Sequence, residues 1–203
     1  MADNMTPSQY ARGRARLKQM AMNLYDVVKL NEGFKTKAYK DTKGNMTIGV
    51  GFNLESPINR KYLKDTYNLT YDDLVNKGVE LNETQIKKLY DFSMENALED
   101  ALIFDPKLLK RPENVRLATL DLAFNLGRLK LLGGIDSEGK KVVGFDNMRA
   151  ALANDDYETA AAEMEDSNWF SQVKTRGPRM VNIMRSQDSL TNLLKEIRSK
   201  KWV

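Results

Sequence analysis

Residues 31–51 read NEGFKTKAYKDTKGNMTIGVG and contain the clearest structural signal in the chain. Lys37–Lys40 forms a short strand and leads into the polar turn Asp41–Asn45, which is rich in residues that favour turns. Met46–Phe52 then alternates between apolar and polar residues as a second strand does. The stretch therefore predicts a β-hairpin, and it is the only convincing β region of the chain.

A helix is predicted immediately before this hairpin. Thr6 reads as its N-cap, Pro7 as its first residue and Gln9 as the partner that closes a capping box. Apolar residues then recur at helical spacing as far as Leu30, with an expected interruption near Gly13.

Helical patterns also dominate the chain after the hairpin. A second capping box at 82–85 predicts a helix that ends near Ile103. The remaining predicted elements are an apolar helix over 113–126, a loop over 131–143, two short helices within 146–165 with a break at 154–156, and a last helix with Pro178 in its first turn that ends near Lys200. The expected fold class is α+β, mainly α, with a small β-hairpin lobe and a larger helical lobe.

Composition narrows the possible chemistry. The 203 residues include no cysteine and no histidine, which excludes disulfides, thiolate nucleophiles, Ser-His-Asp hydrolysis and the usual zinc sites. If the protein is an enzyme that acts near neutral pH, its proton transfers must use Asp, Glu, Lys or Tyr side chains. No apolar run is long enough to span a membrane, and the first residues lack the apolar core of a signal peptide. We therefore expect a globular protein without stable membrane insertion.

The charge is uneven along the chain. The net charge is +4, and residues 1–21 and 195–203 each carry +3, which leaves about −2 for residues 22–194. Basic ends favour adhesion to an anionic polymer or surface. Ordinary lysines and arginines at helix ends explain them equally well.

Three polar residues around the hairpin are candidates for catalysis. Glu32 lies where the helix ends, Asp41 lies in the turn and Thr47 lies in the second strand. Glycosidic hydrolysis needs an acid for the leaving oxygen and a second carboxylate as base or nucleophile, and a hydroxyl beside that carboxylate can orient water. Taken singly, each residue is also explained as an ordinary helix-end, turn or strand residue.

The same stretch closely resembles the active-site segment of T-even phage lysozymes and related phage endolysins. Their pattern is Glu, eight residues, Asp or Cys, five residues, Thr, and Glu32, Asp41 and Thr47 fit it without a gap. Further similar strings follow in the family's order, namely AFNLG at 123–127, GFDN at 144–147, NWF at 168–170 and TRGPR at 175–179. The resemblance covers about residues 22–190.

The resemblance implies a function and a set of residues. Glu32 would be the general acid, Asp41 the carboxylate that activates water, and Thr47 the residue that holds that water. The implied activity is hydrolysis, with inversion, of the β-1,4 bond from N-acetylmuramic acid to N-acetylglucosamine in peptidoglycan. Arg176 is similar to an arginine that pairs with the catalytic glutamate, and the expected substrate-binding residues are Gly51, Asn53, Phe124, Asn125 and Arg176. No metal or other cofactor is expected.

Domains, partners and location follow from the same resemblance. Residues 1–21 would form a basic helical extension, and 22–203 a lysozyme domain with a small lobe over about 31–80 and a helical lobe over about 81–203 plus the first helix. The extension is interpreted as a longer first helix, with a surface-binding basic arm as the alternative. We expect a monomer that binds bacterial peptidoglycan and no nucleic acid. It would accumulate in the host cytoplasm and reach the periplasm and cell wall after a holin permeabilises the membrane.

Two other functions stay open at this point. A lytic transglycosylase would cut the same bond without water, although that reaction needs only the acid and would not require both Asp41 and Thr47. A non-catalytic peptidoglycan-binding protein could use the same scaffold, although an intact trio argues against it. The family's histidine after the TIGxG string is Phe52 here, and a serine of its cleft is Met148, so a stabilising contact and the saccharide subsites are expected to differ.

Overall fold

The computed structural model of the chain describes residues 5–23, 25, 34–41, 44–173 and 176–186. The elements of the first half are α1 (Pro7–Asn23), β1 (Lys35–Lys40), β2 (Met46–Gly49), β3 (Phe52–Asn53), α2 (Pro57–Tyr67), α3 (Tyr71–Val75) and α4 (Glu83–Phe104). The second half holds a 3-10 turn (Leu108–Lys110), α5 (Glu113–Leu132), β4 (Gly134–Ile135), β5 (Lys141–Val142), α6 (Asp146–Ala153), α7 (Tyr157–Glu165), α8 (Asn168–Gln172) and α9 (Arg176–Arg185). The expected fold class, mainly helical α+β, is confirmed.

The chain divides into two compact units, which we describe separately. The sheet unit comprises Met22–Met94, and the helical unit comprises Met1–Ala21 and Glu95–Val203. The predicted division of the chain into a basic helical extension over 1–21 and a lysozyme domain over 22–203 remains a prediction.

The sheet unit contains a three-stranded antiparallel sheet in the order β1-β2-β3. Its hairpin confirms the predicted one, but the predicted strand over 46–52 is broken after Gly49. Gly49 and Gly51 have φ angles of 65° and 77°, in the left-handed region that interrupts a strand and that glycine adopts most readily. The chain therefore turns at 50–51 and returns as β3, which pairs with β2.

Close packing explains why glycine stands at position 49. A Cβ atom there would lie 2.6 Å from Cγ2 of Ile86 on α4, which is too close for any side chain. Ile86 is fully buried, as are Ile48, Leu54 and Leu63 of the same unit. The close approach of β2 to α4 thus belongs to the apolar core that supports the hairpin.

Both predicted capping boxes are confirmed. At the start of α1, the Thr6 amide donates to Oε1 of Gln9 at 2.8 Å and the Gln9 amide donates to the Thr6 hydroxyl at 3.2 Å. At the start of α4, Asn82 and Gln85 make the same reciprocal pair, both at 2.9 Å. Each box satisfies two amides that have no partner inside the helix.

Helix α1 is continuous through Gly13, so the interruption expected there is wrong. A Cβ atom on Gly13 would lie 3.4 Å from the Leu109 side chain, at ordinary van der Waals distance, so α1 packs directly on the 3-10 turn at this residue. Arg14 and Lys18, one helical turn apart, form ion pairs with Glu95 at 2.7 Å each, and Arg14 also pairs with Glu99. The expected continuation of α1 to Leu30 lies mostly outside the described residues.

The second half of the helical unit departs from prediction at the loop. Helix α5 runs to Leu132 with a kink at Gly127, whose φ is 68°, and β4 and β5 form a small hairpin where a loop over 131–143 was expected. These strands have two residues each, too short for a periodic pattern to reveal. The two short helices with a break at 154–156 are confirmed as α6 and α7.

The last described helix, α9, begins at Arg176 and has Pro178 in its first turn, as predicted. The expected continuation to Lys200 lies outside the described residues beyond Ser186. Asn114 of α5 donates through its amide to the Ile183 carbonyl of α9 at 2.9 Å and ties the two helices together.

A buried ion pair connects the 3-10 turn to the rest of the helical unit. Arg111 and Asp105 have side chains that are each only 3% exposed, and Nε of Arg111 lies 2.8 Å from Oδ2 of Asp105. Arg111 also donates to the Leu152 carbonyl at the end of α6 at 2.5 Å and pairs with Asp155. The guanidinium therefore bridges three segments of the chain.

Candidate active site

The predicted acid, Glu32, lies in the segment 26–33, outside the described residues. Its role and its predicted pairing with Arg176 stay predictions. The other predicted site residues are all described, with Asp41, Thr47, Gly51 and Asn53 in the sheet unit and Phe124, Asn125 and Arg176 in the helical unit.

Asp41 is the half-buried first residue of the turn between β1 and β2. Its Oδ1 accepts a hydrogen bond from the Asn45 amide at 2.8 Å, and its Oδ2 accepts one from Nδ2 of Asn45 at 3.1 Å. The backbone closes the same turn, because the Asp41 amide donates to the Asn45 carbonyl at 2.9 Å. These bonds orient the carboxylate in the way that Asp stabilises a turn.

Thr47 lies in β2 and is buried, with 2% of its surface exposed. Its hydroxyl donates to the Asn45 carbonyl at 3.3 Å, and its backbone is opposite Tyr39 in β1 and Asn53 in β3. Thr47 is thus held in the middle strand, where its side-chain position is well defined. Asp41 and Thr47 are both tied to Asn45, which joins the predicted base and the predicted water-holding residue.

Contacts from β1 to the segment before α4 fix the other side of the hairpin. The Thr36 hydroxyl donates to Oε2 of Glu80 at 2.9 Å, Lys37 lies 3.1 Å from Oε1, and the Leu81 amide donates to the Thr36 carbonyl at 2.9 Å. The hydrogen bond from Thr36 and the charge of Lys37 hold the pKa of Glu80 below its ordinary value. The β1–β2 hairpin is therefore held at its turn by Asp41 and Asn45, and at the start of β1 by the contacts of Thr36 and Lys37.

Gly51 and Asn53 flank the turn into β3. Gly51 is exposed, and a Cβ atom there would meet nothing within 4 Å. Oδ1 of Asn53 accepts from the Glu55 amide at 2.7 Å, and its carbonyl accepts from Nδ2 of Asn59 at 2.8 Å. Asn53 therefore has a local structural role in addition to its predicted contact with substrate.

A polar cluster lies inside the helical unit, around Arg176. Its NH2 group lies 2.7 Å from Oδ1 of Asp121, and its Nε lies 3.3 Å and 3.2 Å from Oδ1 and Oδ2. Asp121 is 6% exposed and Arg176 is 9% exposed. Asn125, one turn along α5, donates through Nδ2 to the Asp121 carbonyl at 2.9 Å and to Oδ2 at 3.3 Å.

This cluster brings Arg176 and Asn125 together through Asp121, as the predictions did not foresee. Phe124 is half-buried beside them in sequence on α5. The negative charge of Asp121 matches the positive charge of Arg176, which a buried guanidinium requires. Arg176 thus has one carboxylate partner in place, whatever it contacts among residues outside the described ranges.

Sequence reasoning missed two residues of the site, Asn45 and Asp121. The sequence does mark Asp121 as unusual, because it is an acid within the apolar run over 117–126 and lies four residues before Asn125. Asn45 is not marked in this way, because asparagine is common in turns. Among the described residues, no group of three or more acidic side chains is placed to hold a metal ion. None of the described helices has an apolar stretch long enough to cross a lipid bilayer.

Comparison with known proteins extends these observations. Residues 29–182 match the family described as Phage lysozyme. Two relatives from Dictyostelium discoideum, named Probable T4-type lysozyme 2 and Probable T4-type lysozyme 1, are each 23% identical, over 174 and 169 residues. Both alignments cover 82% of this chain and 96% of the relative. The matched range contains Glu32, Asp41 and Thr47, the whole of the sheet and the Asp121–Arg176 cluster, and the chain therefore belongs to the phage lysozyme family, a family of glycoside hydrolases (muramidases) that act on peptidoglycan.

Proposed function

We propose that the chain hydrolyses the β-1,4 bond between N-acetylmuramic acid and N-acetylglucosamine by a single displacement with inversion. Glu32 gives its proton to the glycosidic oxygen as the bond to C1 of the muramic acid breaks. A water molecule attacks C1 from the opposite face of the sugar, and Asp41 takes the proton that this water loses. Thr47 holds the water.

The observation that carries this proposal is the joint attachment of Asp41 and Thr47 to Asn45. A base and a water-holding hydroxyl must keep a fixed relation to each other, because a displacement of about 1 Å can cost about 10²-fold in rate. The turn supplies that relation through four hydrogen bonds between Asn45 and these two residues. The Glu-x8-Asp-x5-Thr spacing within the family match adds the acid to the pair.

Arg176 and Asp121 supply the second part of the proposal. Arg176 would contact Glu32 or the substrate, and Asp121 would position the guanidinium for this contact without touching the substrate itself. Asn125 supports Asp121 from the same helix. Gly51, Asn53 and Phe124 remain proposed substrate-binding residues on the strength of the resemblance alone.

The decisive experiment measures clearing of permeabilised Gram-negative cells by the wild type, Glu32→Gln and Asp41→Asn. Loss of the general acid or base is expected to lower the rate by about 10²–10⁴-fold. Asp65→Asn is the matched control, because Asp65 is an exposed residue of α2 that pairs only one turn away with Lys61, and it should retain the wild-type rate. Wild-type rates in Glu32→Gln would refute the assignment of the acid.

Product analysis tests the reaction itself. Hydrolysis yields fragments that have gained the mass of one water, whereas a transglycosylase yields anhydro-sugars. The proton NMR spectrum of fresh product should show the α-anomer first, because inversion of a β-bond produces it. An initial β-anomer would reject the single displacement and indicate a covalent intermediate.

We further propose a role in lysis of the host cell, with accumulation in the host cytoplasm and passage to the wall through a holin-dependent lesion. The family match supports this role, although the Dictyostelium relatives show that related chains occur outside phages. Expression in a Gram-negative host with and without a holin tests it. The culture should lyse only when the holin is present, and lysis without one would contradict the proposed route.

A further inference from the structure

A basic cavity lies in the helical unit, between α1 and the segment around the 3-10 turn. Its volume is about 460 Å³, and it is lined by Met5, Gln9, Arg12, Gly13, Arg16, Leu109, Lys110 and Arg116. Four of these eight residues are cationic, and none of the described lining residues is acidic. We propose that this cavity binds a phosphoryl group, carried by a soluble phosphoester or by the headgroup of an anionic lipid. This inference does not depend on the proposed function.

The spacing of charges along α1 shows that the cavity's arginines are separate from its structural ones. Arg14 and Lys18 lie one turn apart and form ion pairs with α4, whereas Arg12 and Arg16 lie one turn apart and line the cavity. Residues two apart in a helix project about 200° from each other. The α1 helix therefore has one cationic stripe that is neutralised by acids and a second that faces the cavity.

The far wall of the cavity supplies the other two cations. Nε of Arg116 is buried and has no hydrogen-bond partner among the described residues. An atom without accessible surface cannot meet a ligand in the cavity, so Arg116 contributes its positive charge rather than this donor. Lys110 completes the cationic lining from the 3-10 turn.

The number and type of these cations favour a phosphoryl group over a carboxylate. A carboxylate has one charge and two oxygens, which a single arginine can satisfy. A phosphoryl group spreads up to two charges over several oxygens and can be shared by several arginines, whose planar forks match it. The apolar side chains of Met5 and Leu109 also line the cavity and can contact the carbon part of a phosphoester.

Five of the eight residues that line the cavity lie outside the family match. Helix α1 precedes residue 29, where the match begins, whereas Leu109, Lys110 and Arg116 lie within it. Gly13 packs directly against the Leu109 side chain at this junction. The cavity is thus formed by a segment that the matched range does not include, packed on one that it does.

The test is a titration of the full chain with inorganic phosphate and with glycerol 3-phosphate at low ionic strength. Binding is measured by calorimetry and by the chemical shifts of the backbone amides in NMR spectra. Saturable binding is expected, with the amides of Gly13 and Leu109 among those that shift. The double variant Arg12→Glu/Arg16→Glu should bind at least tenfold more weakly. The control Lys88→Glu/Arg149→Glu changes the net charge equally at exposed residues that do not line the cavity and should bind within twofold of wild type.

Vesicle sedimentation then distinguishes the two sources of the phosphoryl group. Binding to phosphatidylglycerol vesicles but not to phosphatidylcholine vesicles, with the same loss in the cavity variant, would assign the site to a lipid headgroup. Binding of the soluble phosphates without vesicle binding would assign it to a soluble phosphoester. Equal loss of binding in both double variants would overturn the proposal, because the attraction would then be general electrostatics. No saturable binding by the wild type would also overturn it.

Discussion

Removal of the Asp121 carboxylate tests whether the buried cluster around Arg176 serves the reaction as well as the fold. Asp121→Ala removes three hydrogen bonds of 2.7–3.3 Å from a guanidinium that is 9% exposed. Breaking a buried ion pair by removing one partner costs about 3–5 kcal/mol. For a chain of this size, that cost corresponds to a fall in melting temperature of about 6–20 °C.

Asp105→Ala is the matched control for stability. Asp105 and Arg111 form a still more buried pair in the same helical unit, and neither is among the proposed site residues. Urea unfolding should show a loss of stability for both variants, and the loss should be smaller for Asp105→Ala, because Arg111 keeps its contacts with Asp155 and the Leu152 carbonyl. The two variants differ in the arginine that loses its carboxylate partner, which is Arg176 of the proposed site in Asp121→Ala and Arg111 in Asp105→Ala.

Activity separates the two variants at a temperature where both remain folded. Asp121→Ala should clear permeabilised cells about 10- to 100-fold more slowly, because Arg176 loses the group that positions it. Asp105→Ala should keep the wild-type rate per folded molecule. Asp121→Asn retains an oxygen acceptor and should recover part of the stability. Equal activity in Asp121→Ala and Asp105→Ala would refute the positioning role and leave Asp121 as a structural residue only.

Three further predictions concern stability. Gly49→Ala should destabilise the chain by more than Gly51→Ala in urea unfolding, because both have positive φ but only position 49 lacks room for a Cβ atom; equal losses would contradict this. Hydrogen bonding to Lys18 lowers the pKa of Glu95, so the advantage of wild type over Glu95→Gln should be present at pH 7 and disappear as the pH falls below the pKa of Glu95 in the folded protein. Burial raises the pKa of Asp100, so Asp100→Asn should stabilise the chain at pH 7 and make no difference well below pH 3.8, which unfolding at both pH values will check.

Local signals explain why so much of the fold could be predicted. The capping boxes at Thr6 and Asn82 place their partners three residues away, and both formed as expected. The β1–β2 hairpin follows from a turn that Asp41 and Asn45 close between themselves. In each case the two residues in contact are three or four positions apart in the sequence. At that distance, the spacing alone determines which atoms can meet.

The conformational freedom of glycine explains the broken strand and contributes to the missed β4–β5 hairpin, whose strands are also too short to show a periodic pattern. Gly49 ended a strand that alternation predicted to continue, and residues 131–143 formed a short hairpin where glycine and lysine suggested a loop. Glycine is compatible with a strand, a turn or a kink, and tertiary contacts decide among these. At Gly49 the deciding contact is with Ile86, 37 positions along the chain, and no local pattern encodes it.

The same argument applies to the site. The spacing of Glu32, Asp41 and Thr47 is local, and it therefore resembles the family pattern even in isolation. Arg176 and Asp121 stand 55 residues apart, and composition does not show which acid will neutralise a given buried arginine. A lone acid in an apolar helix does limit the choice, since a buried charge must find a partner of opposite sign. Asp121 could have been proposed as that partner on this ground alone.

The N-terminal basic segment shows what a net charge conceals. The net charge of +3 over residues 1–21 suggests one role for all of its cations. The four cations nevertheless form two pairs on different faces of α1. One pair is neutralised by Glu95 and Glu99 and therefore holds the helix in place. Because those acids fix the rotation of α1, Arg12 and Arg16 must line the cavity against Leu109. A segment can thus be structural and ligand-binding at once, provided that each role uses a different set of residues one turn apart.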